Sequence, residues 1–161
     1  MRCRKGQQTT SLPFGIIFAI FLIVVFVVIA FIAISHFLDI GRQTGVGMFY
    51  EDLQTEVESA WKSQSVDKSF EIDLPDSITH VCFANLSEGG SGPMYEQIKN
   101  FYLYDANTFL IPPENAEGMG YKLIEHLDIE EMTKSKNPYC VEAGETLRIK
   151  KDFYSKLVIL E

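Results

Sequence analysis

The cysteine and histidine residues of this chain have the side chains best suited to redox or metal chemistry. His80 lies two positions before Cys82, and residues two apart on a strand share a face. Together with His126 and Cys140 they could form a zinc or copper site. The paired spacings typical of such sites are missing, so we expect no metal and a disulfide between Cys82 and Cys140.

The expected disulfide also carries information about compartment and stability. A bond from Cys82 to Cys140 would close a loop of about 60 residues, for which the chain-entropy estimate is roughly 4 kcal/mol. Disulfides persist outside the cytosol. The topology predicted below puts Cys82 and Cys140 on the extracytoplasmic side, where a pair can oxidise, and Cys3 on the cytoplasmic side.

Motifs for other chemistry are few. Asn85-Leu86-Ser87 is a sequon for N-glycosylation, so Asn85 is a predicted modification site. The sequence contains no G-x-S-x-G, H-E-x-x-H or G-x-x-x-x-G-K motif. We expect a non-enzymatic protein without a cofactor.

A long apolar segment lies near the N-terminus. The 23 residues from 12 to 34 carry no polar side chain, and no charged residue lies between Lys5 and Asp39. As a helix this run would be roughly 35 Å long, enough to cross a bilayer. Ala33-Ile34-Ser35 loosely matches a signal-peptidase site, but secretion signals have apolar cores of only about 7–15 residues. The sequence predicts a retained transmembrane helix over 12–35, with the lipid bilayer as its partner.

Charge gives the orientation of this span. Arg2, Arg4 and Lys5 precede it, which by the positive-inside rule puts a leader of residues 1–11 in the cytoplasm and the C-terminal domain outside. The remainder holds eleven Lys and Arg against 22 Asp and Glu, a formal charge of −11. This acidic surface argues against nucleic acid as a partner.

A joint and a second helix are predicted over residues 36–63. The stretch "DIGRQTGVG" contains three glycines, each of which costs a helix about 1 kcal/mol, so we expect a bend or flexible joint there. Val46, Phe49, Leu53 and Val57 then recur at three- and four-residue steps. This periodicity predicts an amphipathic helix over 46–63.

Residues 64–161 have the pattern of a β-rich domain. Segments 70–74 and 78–84 flank Pro75-Asp76-Ser77 and are interpreted as a hairpin, while 94–104 fits either a helix or a strand. Further strands are predicted at 108–111, 120–129, 139–142, 145–151 and 155–160, with a polar connection over 130–138. The predicted fold is α+β: a transmembrane helix continuing into an amphipathic helix, which packs on a small antiparallel meander.

The N-terminus resembles the class III signal peptides of archaeal type IV pilin-like proteins. The similarity rests on Arg4-Lys5-Gly6-Gln7, on the apolar helix that follows and on the β-rich domain after it. The resemblance implies cleavage between Gly6 and Gln7 and a retained helix that is both anchor and filament core. Pilins usually carry a glutamate a few positions into the mature chain, whereas residues 7–15 here contain no acid and include Pro13.

These observations give two functional hypotheses. The first is a non-enzymatic, single-pass surface protein of pilin-like layout, a structural, adhesive or envelope subunit that self-associates through its N-terminal helix. The second is an extracytoplasmic accessory or ligand-binding domain of another membrane complex. Other envelope proteins are possible partners of either.

Overall fold

The computed structural model describes residues 12–161 and separates into two compact units. The first unit ends at Ile40, and the second runs from Gly41 to Glu161. One long helix, α1 (Leu12–Lys62), has residues in both, and the described strands all belong to the second. The fold is α+β, with a long apolar N-terminal helix and small antiparallel sheets. The predicted leader, with its Gly6/Gln7 cleavage position and Cys3, lies outside the described residues.

The described part of the first unit is the apolar part of α1. No Asp, Glu, Lys or Arg lies between Phe14 and Leu38, and nearly all the large side chains of this segment are exposed. Ser35 donates its hydroxyl to the Ile32 carbonyl, which hides its polar group on the helix backbone. Within this unit, then, the helix has an apolar surface on all sides.

The glycine-rich stretch 39–47, for which a bend or flexible joint was predicted, is helical and belongs to α1. Packing accounts for the difference, because Val46 is fully buried and its burial offsets the helix cost of the neighbouring glycines. A Cβ built on Gly45 would lie 3.2 Å from the Pro75 Cγ. Glycine at position 45 therefore permits a close approach between the helix and this loop.

The second-unit part of α1 is amphipathic, which confirms that prediction. The residues buried along one face recur at steps of three or four: Val46, Phe49, Tyr50, Leu53, Val57 and Ala60. The helix ends at Lys62, where the Lys151 ammonium donates to the Trp61 and Ser63 carbonyls at 2.6 and 2.7 Å. These bonds satisfy carbonyls that lack partners at a helix C-terminus.

Among the described residues, seven strands form two antiparallel sheets rather than one meander. The three-stranded sheet has the order β1-β6-β7, and the four-stranded sheet has the order β4-β3-β2-β5. The strands are β1 (Val66–Glu71), β2 (His80–Phe83), β3 (Thr108–Ile111), β4 (Tyr121–Lys122), β5 (Tyr139–Glu142), β6 (Thr146–Lys151) and β7 (Ile159–Leu160).

The predicted hairpin of 70–74 with 78–84 is wrong. Phe70 of β1 lies opposite Leu147 of β6, whereas β2 pairs with β3 and β5. Ile72 exchanges backbone hydrogen bonds with Glu145 and Gly144, after which the chain crosses to the other sheet. Both segments contain strands, but their partners are distant in sequence, and strand propensity alone does not reveal partners.

Several segments are shorter or more helical than predicted. The ambiguous segment 94–104 is covered by helix α2 (Pro93–Ile98) and a 3-10 helix (Lys99–Leu103). The strand expected over 120–129 is limited to β4, and that over 155–160 to β7. The polar connection contains α3 (Ile129–Thr133), which is capped by Asp128 Oδ1 accepting from the Glu131 amide at 3.1 Å. Further 3-10 helices are Leu86–Glu88 and Pro113–Ala116.

The four-stranded sheet is buried on both faces. Val81 and Phe83 of β2 belong to the cluster that contains the buried stripe of α1, and Cys82 belongs to a second cluster with Ile98 and Phe109. This division follows the two-residue period of a strand. The sheet therefore has α1 on one face, as predicted, and α2 on the other.

Candidate functional site

The disulfide lies at the centre of the four-stranded sheet. Cys82 and Cys140 are direct cross-strand partners in β2 and β5, with Cα atoms 4.0 Å apart, and their sulfur atoms are bonded. Cys82 is fully buried. The pair that the sequence indicated is thus a structural cross-link, and neither sulfur is a thiolate available to a metal or to a substrate.

The two histidines of the alternative metal site are not brought together with the cysteines as ligands. His80 is half-buried in β2, with its Nδ1 2.9 Å from the Thr79 hydroxyl. His126 stacks on Trp61, with ring centroids 3.8 Å apart and planes 3° from parallel. Among the residues that the structure describes, no group of three or more His, Cys, Asp or Glu side chains could hold a metal ion.

A surface groove of about 540 Å³ is the candidate binding site of the second unit. It lies between the turn after β2, the end of the 3-10 helix 99–103, the segment before α3 and the segment before β7. We call it the Asn85 groove; its walls include Asn85, Ser87, Tyr102, Tyr104, Leu123 and Leu157. Sequence reasoning identified only Asn85 and Ser87 among these, through the sequon.

Aromatic packing holds one wall in place. The Tyr104 and Tyr121 rings lie 4.6 Å apart, and Phe101 lies 4.9 Å from Tyr121. Partial burial, and then the neighbouring Tyr104 phenol, raise the pKa of the Tyr121 hydroxyl. Phe101 also packs against the buried Phe109 of β3. The exposed Tyr104 ring at the groove is therefore an extension of a packed cluster.

Asn107 fixes the backbone next to this aromatic wall. Its Nδ2 donates to the Ile124 carbonyl at 2.8 Å, and its Oδ1 accepts from the Ile124 amide at 2.9 Å and from the Thr108 hydroxyl at 3.0 Å. An amide side chain can satisfy an adjacent donor and acceptor in this way. Asn107 thus joins the segment before β3 to the segment after β4.

The turn that carries Asn85 is held from two sides. Asn85 Oδ1 accepts from the Ser87 amide at 3.1 Å, which makes an Asx turn at the start of the 3-10 helix 86–88. Asn137 donates its Nδ2 to the Asn85 carbonyl at 2.7 Å and to the Gly89 carbonyl at 2.5 Å. The Asn85 turn is consequently tied to the segment before β5.

The groove combines exposed rings with acids and lacks cations. Tyr102 is 65% exposed and Tyr104 53%, and Asp105 and Glu130 line the same groove. No Lys, Arg or His is among the lining residues. Such a surface suits a neutral polar ligand that has apolar faces, such as a sugar, and disfavours an anion.

The apolar surface of α1 is the second candidate functional region. The helix α1 is long and apolar enough to cross a membrane. Its most apolar part is not buried within the structure. Exposed apolar surface of this extent marks a contact with lipid or with another protein.

One signal could have located more of the groove. The run "FYLYDAN" (101–107) has three aromatic residues beside an Asx-rich turn, so it marks an aromatic segment without deciding between helix and strand. Leu123 and Leu157 gave no such signal, since single exposed leucines are ordinary.

No protein-family model, no curated protein and no solved structure matches this chain.

Proposed function

We propose that this is a non-enzymatic, single-pass membrane protein whose N-terminal helix anchors an extracytoplasmic α+β domain. Its role is that of a structural, adhesive or envelope subunit with a pilin-like layout. The observation that carries the proposal is the charge-free apolar surface of α1 from Phe14 to Leu38, whose large side chains are nearly all exposed.

Lipid is the partner that best fits this surface. The apolar run is long enough for a hydrocarbon core of about 30 Å, and its side chains are apolar on every side of the helix. An amphipathic helix that lies on a membrane would have one polar face. The absence of any charged residue from position 14 to 38 favours crossing over surface binding.

The side of the membrane is inferred from charge and from the cross-link. Arg2, Arg4 and Lys5 favour a cytoplasmic N-terminus. The Cys82–Cys140 disulfide fits an oxidising compartment for the second unit. Both observations support an extracytoplasmic domain.

A pilin-like role requires copies of the chain to associate, and the apolar run has small residues that suit helix packing. Within the apolar run, Gly15 and Ala19 are four positions apart, and a Cβ on Gly15 would meet nothing within 4 Å. Small residues at this spacing let helix backbones approach closely in membranes. We propose that copies of the chain pack through this helix after cleavage between Gly6 and Gln7.

The experiment combines mass, topology and cross-linking of the full-length protein in its own membranes. We expect an intact mass that begins at Gln7, resistance to carbonate extraction, and labelling of Lys99 and Lys134 by an impermeant reagent on intact cells. Extraction by carbonate would contradict the anchor. A mass that retains Arg2 to Lys5 would contradict the pilin-like processing.

Cross-linking tests self-association separately. Single cysteines placed from 15 to 26 in a Cys3→Ser background should form dimers by oxidation, with maxima every three or four positions. Thr55→Cys, on an exposed position of the second unit, is the control for random collision. Uniform cross-linking without periodicity would contradict a specific helix contact.

A ligand-binding accessory role is the second candidate, favoured by the Asn85 groove. Its exposed Tyr102 and Tyr104 and its size fit a small polar ligand. In this case, affinity capture with the tagged full-length protein should recover a stable unlike partner and few copies of the chain itself. Recovery of self-complexes alone would favour the first role.

A further inference from the structure

We propose that Asn85 carries an N-linked oligosaccharide whose first sugars lie in the Asn85 groove against Tyr102 and Tyr104. The inference rests on the proposed function in one respect, because N-glycosylation requires the second unit to be extracytoplasmic. It goes beyond that function by naming a modification site and the occupant of the groove.

The acceptor amide is free in the folded turn. Asn85 Oδ1 accepts from the Ser87 amide, and its Nδ2 donates to no residue that the structure describes. Asn85 is only half-buried, and Ser87, the hydroxyl residue of the sequon, is exposed. By contrast, Nδ2 of both Asn107 and Asn137 is used in hydrogen bonds to backbone carbonyls.

The reaction is a group transfer from a lipid-linked oligosaccharide. The Asn85 Nδ2 forms a bond to the anomeric carbon of the first sugar, and the bond from that carbon to the oxygen of the lipid phosphate breaks. The amide nitrogen loses one proton, and the lipid phosphate leaves with the bonding electron pair. No oxidation or reduction occurs, and a membrane oligosaccharyltransferase supplies the catalyst.

The groove fits the attached glycan by position and chemistry. Asn85 and Ser87 line the same groove as Tyr102 and Tyr104, so the first sugars begin at its wall. Sugars present apolar C–H faces that pack on aromatic rings, and their hydroxyls can hydrogen-bond Asp105 and Glu130. A groove of about 540 Å³ has room for one to two sugars.

Mass analysis of the Asn85 peptide tests the modification. The full-length protein purified from its own cells should carry added oligosaccharide mass on Asn85. Asn85→Asp and Ser87→Ala should lose the mass, and Ser87→Thr should keep it. Asn85→Asp is the matched variant, because its carboxylate oxygen can still accept from the Ser87 amide. An unmodified wild-type peptide overturns the proposal.

Radical footprinting tests the occupancy of the groove. Oxidation of Tyr102 and Tyr104 should be several-fold slower in the glycosylated wild-type protein than in Asn85→Asp. Tyr154, which is 94% exposed and outside the groove, is the internal control and should react equally in both. Equal oxidation of Tyr102 and Tyr104 in the two proteins overturns the placement of the sugars.

Labelling of Lys99 and Lys134 on intact cells separates this failure from that of the proposed function. External labelling with an unmodified Asn85 overturns the glycan and leaves the anchored topology intact. Lack of external labelling overturns both.

Discussion

The two halves of α1 have the same secondary structure and very different surroundings. In the first unit Phe14 and Phe31 are 76% and 75% exposed, whereas in the second unit Phe49 is 3% exposed. The first half has no charged residue between 14 and 38, and the second has acids and a lysine on the face opposite its buried stripe. Helical backbone is thus compatible with both surroundings, and the side-chain pattern indicates which partner each half requires.

The two halves also differ in what their apolar side chains pack against. The second half buries its stripe against the two sheets, so its packing is satisfied within the chain. The first half makes no comparable contact among the described residues, and its apolar area becomes favourable only beside lipid or another helix. A change in one half should therefore affect membrane retention, and a change in the other should affect domain stability.

The largest expected effect is a loss of membrane retention when charges are introduced into the first half. Val24→Arg combined with Val28→Arg puts two charges in the middle of the apolar run, at about 2.5–3.5 kcal/mol each on insertion scales. We expect a large loss of the carbonate-resistant membrane fraction, measured by fractionation and immunoblotting. Val24→Leu with Val28→Leu is the control and should stay in the membrane. Equal retention of both variants would contradict lipid as the partner of this half.

The matching change in the second half should leave membrane retention unaltered. Leu53 is fully buried, so Leu53→Ala should lower the free energy of unfolding by about 2–5 kcal/mol through lost burial and a cavity. Denaturant unfolding of the full-length protein in detergent measures this. Thr55→Ala changes an exposed position of the same helix and should have little effect. If the two variants unfold alike, the buried stripe does not stabilise the domain.

The disulfide should contribute to the second unit alone. Cys82→Ala with Cys140→Ala removes a cross-link that closes a loop of about 60 residues, and we expect a loss of up to about 4 kcal/mol. Thermal unfolding measures the change, and reduction of the wild-type protein should reproduce it. Cys3→Ala is the control and should change nothing. A shift in membrane retention instead would contradict the independence of the two halves.

Those features that depend on local pattern were predictable from the sequence. The apolar run and the spacing of Val46, Phe49, Leu53 and Val57 are local, and both were recovered as helix. The glycine-rich stretch 39–47 was not recovered as helix from its local pattern. The cost of glycine in a helix is local, but the packing of Val46 and the approach of Gly45 to Pro75 that offset it are not.

Apart from the Cys82–Cys140 disulfide, features that join distant segments were not predictable. β1 pairs with β6 across most of the domain, and nothing in residues 66–71 specifies that partner. The candidate site also joins distant segments. Its residues Asn85, Tyr102, Leu123 and Leu157 come from four separate parts of the sequence. The sequence marked Asn85 by its sequon, and only the fold brings the aromatic wall beside it.

The smallest predicted effect concerns Tyr50, a buried residue of the second half of α1. Tyr50 donates its hydroxyl to the Met119 carbonyl at 3.0 Å. Tyr50→Phe should lower the free energy of unfolding by about 1 kcal/mol below pH 10, because that carbonyl loses its donor. Tyr154→Phe, at a highly exposed position, is the control.

The free energy of unfolding should also depend on pH differently in Tyr50→Phe and in the wild-type protein. Burial raises the pKa of the Tyr50 hydroxyl, so the folded protein keeps a proton that the unfolded chain loses near pH 10. Its contribution to stability is therefore present below pH 10 and is lost as the pH rises, with a limiting slope of about 1.4 kcal/mol per pH unit. Tyr50→Phe should reduce this slope without abolishing it, because the pKa values of Tyr121 and Tyr139 are also raised by partial burial. Urea unfolding from pH 9 to 11 measures the slope, and an unchanged slope would mean that Tyr50 ionises as readily in the folded protein as in the unfolded chain.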